Sequence, residues 1–513
     1  MSDLMCPTRG RLAVPPRADD NLRITMSLDA PAESRAETGT TTETERETAD
    51  GASSTSLWSG LRPLALRVHF YAGLLVGPLL LIAAVSGLLY ALSFQAEKFV
   101  YRQELTVPVG ERALPLSAQV DAARAARPDG TVTAVWPAAE DDASTRVLMS
   151  APGVDEGKSL AVFVDPYTAE IRGELPSYGS SGALPLRTWL DELHRDLHLG
   201  DLGRNYSELA ASWLWVVALG GLLLWLGRRR AARRALVLPD RSLPKGRRRT
   251  LSWHGSIGLW AVTGLVLLSA TGLTWSRYAG ENIGAVQDQL GGATPAVSAT
   301  LADAPAGSGG GGDHSEHGAG HGGAHQGADV GIDKALESAR AAGIDSDRLA
   351  ITLPAEGTGY VVKETDTFFP VQLDSVAVDP SNGSVLDELR FSDYPVLAKL
   401  TRFGIDAHTG VFLGLANQLA LAALAAALIV LIVSGYRMWW LRRPTKGRGI
   451  GGRPVPRGAW RRLPVTALLP LAALTAFAGW FVPLLGLSLL AFLVLDLALG
   501  AVARLRARAA AGS

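Results

Sequence analysis

Nine histidines in 513 residues are distributed in a pattern that can carry chemistry. His69 opens the first long apolar run and His254 stands just before the third, while His194 and His198 precede the second and His408 precedes the fourth. A lone imidazole at the end of a membrane helix can face lipid headgroups without further meaning. Here every one of four apolar runs has one at its N-terminal end, and the alternating chain direction sorts them into an inner layer (His69, His254) and an outer layer (His194, His198, His408). Ionisable side chains at membrane depth mark functional sites by default. The other four, His314, His317, His321 and His325, lie three and four residues apart in GGGGDHSEHGAGHGGAHQG. Such a tract binds Cu(II), Ni(II) or Zn(II) loosely, or serves as a linker of biased composition.

Two b-type haems account for two layers of histidine. Each needs two axial imidazoles from facing helices, an apolar slot, and small residues where the macrocycle meets backbone. The inner haem would lie between His69 and His254, the outer between His408 and either His194 or His198. Gly73, Gly255, Gly258, Gly410 and Gly414 are the small residues at hand. Cys6 is the only cysteine, which excludes disulfides, iron–sulfur clusters and C-x-x-C-H haem attachment within one chain. No catalytic acid–base dyad stands out, and a protein that moves only electrons needs none. The glycine-rich stretch Gly447–Gly452 follows a membrane helix instead of a strand, so it is no dinucleotide fingerprint. The electron donor is then a quinol or a separate protein.

Helices long enough to cross a membrane must position these histidines. Spans are expected at 63–92, 207–227, 254–275 and 411–440, each near the roughly 20 residues required. The apolar stretch 463–500 is too long for one span, and Gly479, Pro483 and Gly486 break it into a hairpin of two more. The segment 228–253 carries ten Arg or Lys against the single acid Asp240, and 441–462 carries eight against none. Both belong in the cytoplasm, together with the tail 1–62, expected to be disordered, and the short tail 501–513. No cleavable signal peptide is expected, so the first span acts as the insertion signal. Segments 93–206 and 276–410, the latter with the His- and Gly-rich loop 307–327, then lie outside. Each contains a strand hairpin, turning at Asp165-Pro166-Tyr167-Thr168 and at Asp379-Pro380-Ser381-Asn382-Gly383. Span, strand-rich segment and span recur twice, the mark of an internal duplication. A formal net charge of zero says nothing about partners, and no nucleic-acid partner is expected.

The spans share an exit pattern: Ser86-Gly87 before Tyr90, Gly220-Gly221 before Trp225, Thr271-Gly272 before Trp275, Ser434-Gly435 before Trp439. Its aromatics read as interfacial anchors, and its recurrence as common descent, not chemistry. The strings RVHFYAGLLVGPLLLIAAVSGLLYAL, ELHRDLHLGDLGRNYSELAASWLWVVALGGLLLW, WHGSIGLWAVTGLVLLSATGLTWS and FGIDAHTGVFLGLANQLALAALAAALIVLIVSGYRMWW resemble the PepSY-associated transmembrane proteins, including iron-uptake factors of the PiuB type. The resemblance runs from about residue 62 to 443. It implies a bacterial plasma-membrane protein of iron acquisition and haem-dependent reduction of ferric siderophores, with haem ligands at His69, His194, His254 and His408 and with His198 as the alternative to His194. Asp165 and Asp379 take turn-forming places in its PepSY units. The expected fold is a membrane all-α helical bundle of about six spans, internally duplicated, with two small α+β extracytoplasmic PepSY-like domains. Lipids, an electron donor and a ferric siderophore are the expected partners, and a homo-oligomer is left open. A metal-binding or transport accessory protein, or a membrane-anchored protease regulator, are the competing readings. A plain anchor would not need layered histidines, and a transporter should show ionisable groups at mid-membrane, where almost none occur.

Overall fold

The computed structural model describes residues 57–228, 234–301, 329–442 and 457–511. Cys6, the four histidines of the Gly-rich tract, and Gly447–Gly452 lie outside the described residues. Helix α1 (Leu57–Leu75) runs into α2 (Gly77–Val100) with a local break at Val76. Pro78 has no N–H to offer the carbonyl of Leu74. The Tyr436 hydroxyl donates to that carbonyl instead, at 2.6 Å.

After the short α3 (Arg102–Leu105) come α4 (Leu116–Ala126), β1 (Thr131–Trp136), β2 (Thr145–Ser150), β3 (Lys158–Val164) and β4 (Ile171–Tyr178). The chain then returns through α5 (Pro185–Asp196) and α6 (Asp201–Leu226), and α7 (Arg234–Val237) leads to α8 (Arg247–Thr274) and α9 (Tyr278–Gln289). The second half repeats the order with α10 (Ile332–Ala341), β5 (Leu349–Thr352), β6 (Tyr360–Glu364), β7 (Ser375–Val378), β8 (Val385–Leu389), α11 (Val396–Thr409) and α12 (Leu415–Trp440). Helices α13 (Val465–Phe481) and α14 (Pro483–Ala511) complete the chain.

Among the described residues, α2, α6, α8, α12 and α14 are long and apolar enough to cross a bilayer core of about 30 Å. The protein is a multi-pass membrane protein with five such helices, where the sequence suggested about six. The shortfall is α13, which is apolar but only 17 residues long. It stops at Phe481 because Pro483 disfavours helical backbone at the residue before it. Helix α6 lies along α8, α12 lies along both α2 and α8, and α1 packs on α6. The result is a four-helix core with the α1–α2 pair and α8 facing each other across it, filled by Val76, Leu80, Ala210, Trp213, Ala261 and Leu265.

The strand-rich segments depart from expectation. They do not form two separate domains but one antiparallel eight-stranded sheet in the order β4-β3-β2-β1-β5-β6-β7-β8. The seam is the β1–β5 pairing, with Ala134 opposite Thr352 and Val135 opposite Ile351. Two four-stranded units would each have left a bare edge of unpaired N–H and C=O groups, and joining them removes both. Helices α4 and α10 lie side by side on one face, where Val120, Ala123, Ala335 and Ala339 cover Val135, Val147, Val162 and Val362. Ala161 and Phe163 point to the other face and pack with Leu184, at the start of α5.

Candidate functional site

Two layers of imidazole lie within this frame. His69 on α1 and His254 on α8 place their ring centres 6.3 Å apart with the planes at 80°. His69 Nδ1 donates to the carbonyl of Val217 on α6 at 2.9 Å, and His254 Nδ1 is 2.8 Å from the Ser434 hydroxyl on α12. Two imidazoles bound head-on to one metal, at about 2 Å per bond, hold their ring centres roughly 6 Å apart. Gly73, one turn from His69 on the same helix face, borders open space. Among the described residues no three of His, Cys, Asp or Glu come together as a metal-ion site. Two imidazoles at this spacing could hold a group that brings its own equatorial ligands, as haem does.

The second layer lies at the other end of α8. Thr271 is seventeen residues beyond His254, about 25 Å along the helix. Its hydroxyl is 2.7 Å from His408 Nδ1 on α11, and Ser86 on α2 is 2.9 Å from His194 Nδ1 on α5. Burial pushes His408 down to about 3, with the neighbouring His194 adding to the effect. Burial lowers His194 as well. Both rings stay neutral, the form that ligates a metal.

His194 and His408, which the sequence placed just before the second and fourth spans, ride on short helices of their own, α5 and α11. Leu197 and His198 take left-handed backbone after α5, and Gly410 does so after α11. Gly200 then adopts φ 56°, ψ −133° and Gly414 φ 54°, ψ −131°, a conformation open essentially to glycine alone. Spans α6 and α12 begin at the next residue, so both halves turn into the membrane by one device.

Helix α5 is fixed by Glu97, at the end of α2. Its carboxylate accepts the backbone N–H groups of Leu184 (3.1 Å) and Arg187 (3.2 Å) and the Arg187 Nε–H (3.0 Å). The sequence reading passed over Glu97, although an acid closing an apolar run was a signal for it. His198 is not brought to His408: its ring lies on Trp189, 5.0 Å between centres, and its Nδ1 is 3.3 Å from Glu192. Asp165 and Asp379 shape their turns, each accepting the N–H two residues on at 2.8 Å.

Most of the glycines singled out near the histidines are occupied otherwise. Gly255 lies against Trp225 and Gly258 against Leu431, while Gly410 and Gly414 make turns. The glycines at which an added Cβ would come within 4 Å of a histidine ring are Gly87, Gly220, Gly221, Gly272 and Gly435 of the exit pattern. Its recurrence was legible in the sequence; its contact with the histidines was not.

No curated protein matches the chain. Residues 66–442, most of the chain and everything described above except the C-terminal hairpin and the first turns of α1, match the family described as the PepSY-associated TM region, and to that family the chain belongs.

Proposed function

We propose that this protein is a transmembrane electron-transfer protein of the bacterial plasma membrane, holding two b-type haems and reducing ferric chelates of the siderophore class on the sheet side. The observation that carries the reading is the 6.3 Å spacing of His69 and His254, with both Nδ1 atoms already engaged on other helices. Haem supplies one-electron transfer when bound. His69 and His254 would hold the inner group, His194 and His408 the outer. The protein's part is to keep four neutral imidazoles fixed, and to keep the space between the layers apolar and dry. One electron converts Fe(III) to Fe(II), which hard oxygen chelators bind less tightly, so reduction releases the iron. The donor is a quinol or a separate protein on the side of the basic segments.

The test is an absorption spectrum of the purified protein in detergent, oxidised and then reduced with dithionite. Two low-spin haems are expected. His69→Ala and His254→Ala should produce one common defect, His194→Ala and His408→Ala another, and His198→Ala neither. A folded, colourless protein from cells supplied with haem would overturn the reading.

A further inference from the structure

The hydroxyls beside the histidines have a defined direction. A Ser or Thr hydroxyl owns one proton, and each of these spends it on its own helix. Ser86 Oγ donates to the carbonyl of Ile82 at 2.9 Å, Thr271 Oγ1 to Leu267 at 2.7 Å and Ser434 Oγ to Leu431 at 3.0 Å. With that proton on the helix carbonyl, the oxygen is left to accept from the imidazole, an arrangement that would put the proton of His194, His408 and His254 on Nδ1. His69 reaches the same state without a hydroxyl, since the Val217 carbonyl has no proton to give. In that arrangement Nε2, on the other side of Cε1, is left unprotonated in all four rings.

The residue following each hydroxyl serves the same ring. A Cβ on Gly87 would lie 3.1 Å from His194 Cε1, one on Gly272 3.5 Å from His408 Cε1, and one on Gly435 3.9 Å from His254 Cε1. In the fourth case a Cβ on Gly221 would lie 2.9 Å from His69 Cε1. The glycine lets the ring edge beside Nε2 settle against backbone while the hydroxyl one residue earlier holds Nδ1.

We infer that Ser86-Gly87, Thr271-Gly272 and Ser434-Gly435 are positioning pairs that fix the tautomer and the seat of His194, His408 and His254, with Val217 and Gly221 doing the same for His69. The inference rests on the proposed function for its purpose, a ligand-ready Nε2, and on the hydrogen bonds alone for its content. Partners of this kind orient ligating histidines and raise their basicity. A more basic axial ligand favours the oxidised metal, so losing the partner raises the midpoint potential at that layer only.

The test uses full-length protein in detergent, reduced and labelled with nitrogen-15 histidine, to read which ring nitrogen carries the proton. The expected result is a proton on Nδ1 of His194, His254 and His408. Ser86→Ala, Thr271→Ala and Ser434→Ala should mix the tautomer of the matching histidine. They should also weaken haem retention by roughly 10-fold or more and raise the potential of that layer. Ser86→Thr, Thr271→Ser and Ser434→Thr should restore the parent behaviour. Protons on Nε2 in the parent, or Ala variants with unchanged tautomer and potential, would overturn the inference. A parent without haem would sink the proposed function, while the tautomer measurement on that same protein still decides this one.

Discussion

Glu97 is buried to 5 % exposure, and what it holds is the N-terminus of the helix that presents His194. The first turn of a helix leaves N–H groups without partners, and a carboxylate there also meets the favourable end of the helix dipole. Glu208 treats α9 in the same way, accepting the Tyr278 and Ala279 N–H groups at 3.0 Å each. Asp333 takes those of Leu116 and Ser117 at the start of α4. Arg187 completes the first of these sites, and removing it leaves a buried carboxylate without its counter-charge. Arg187→Ala should therefore cost about 3 kcal/mol of stability, against no more than about 0.5 kcal/mol for the exposed Arg124→Ala. Thermal denaturation in detergent checks the difference, and equal melting temperatures would refute it. The sequence could mark Glu97 as an acid closing an apolar run, but which helix start each of these acids serves was not legible. Capping rules look for an acceptor beside the helix start, whereas Glu97 lies 87 residues before Leu184 and Glu208 lies 70 before Tyr278. The layered placement of the histidines could be read because it repeats.

At the scale of elements, the C-terminal hairpin lies outside the family match yet is tied to the inner layer. Asp496 on α14 pairs with Arg67 on α1, two residues before His69, and also with Arg457 at 2.9 Å. The Arg67 guanidinium lies over the Tyr71 ring, Phe492 packs on the same ring, and Ser488 accepts the Trp213 indole N–H at 2.9 Å. Arg67 is buried, so Asp496→Ala, which removes one charged partner of its guanidinium, should cost about 2 kcal/mol. Replacing both, Arg67→Met with Asp496→Leu, should return most of the loss, because an apolar pair of similar volume needs no compensation there. Melting curves of the two single variants and the double one decide this; simple additivity would mean the pair is not coupled. The break in the hairpin was visible beforehand, since Pro483 announces itself. That the residues just before the second and fourth spans form helices of their own, α5 and α11, was not, because left-handed Leu197 and His198 carry no signature in residue type.

The whole molecule is two copies of one plan, joined above the bundle by the β1–β5 seam and within it by α6 against α8. The duplication was readable from repeated strings. The seam was not, for strand edges that pair across two hundred residues leave no local trace. Charge predicts the orientation: α6 and α8 are linked at the end away from the sheet by the segment with ten basic residues and one acid, and the positive-inside rule expects such a segment on the cytoplasmic side. Because Cys6 is the only cysteine, a Cys6→Ser background carries no thiol, and single cysteines can then be placed at will. Lys245→Cys between α6 and α8, and Glu156→Cys and Asn382→Cys in the two halves of the sheet, all put the thiol at exposed positions. A membrane-impermeant maleimide applied to cells with a permeabilised outer envelope should label positions 156 and 382, and position 245 only after the plasma membrane is lysed. Labelling of 245 alone in unlysed cells would invert the molecule. His194 and His408 would then face the cytoplasm, and the ferric chelate would have to be met on the side of the basic segments, where ten positive charges and no sheet await it.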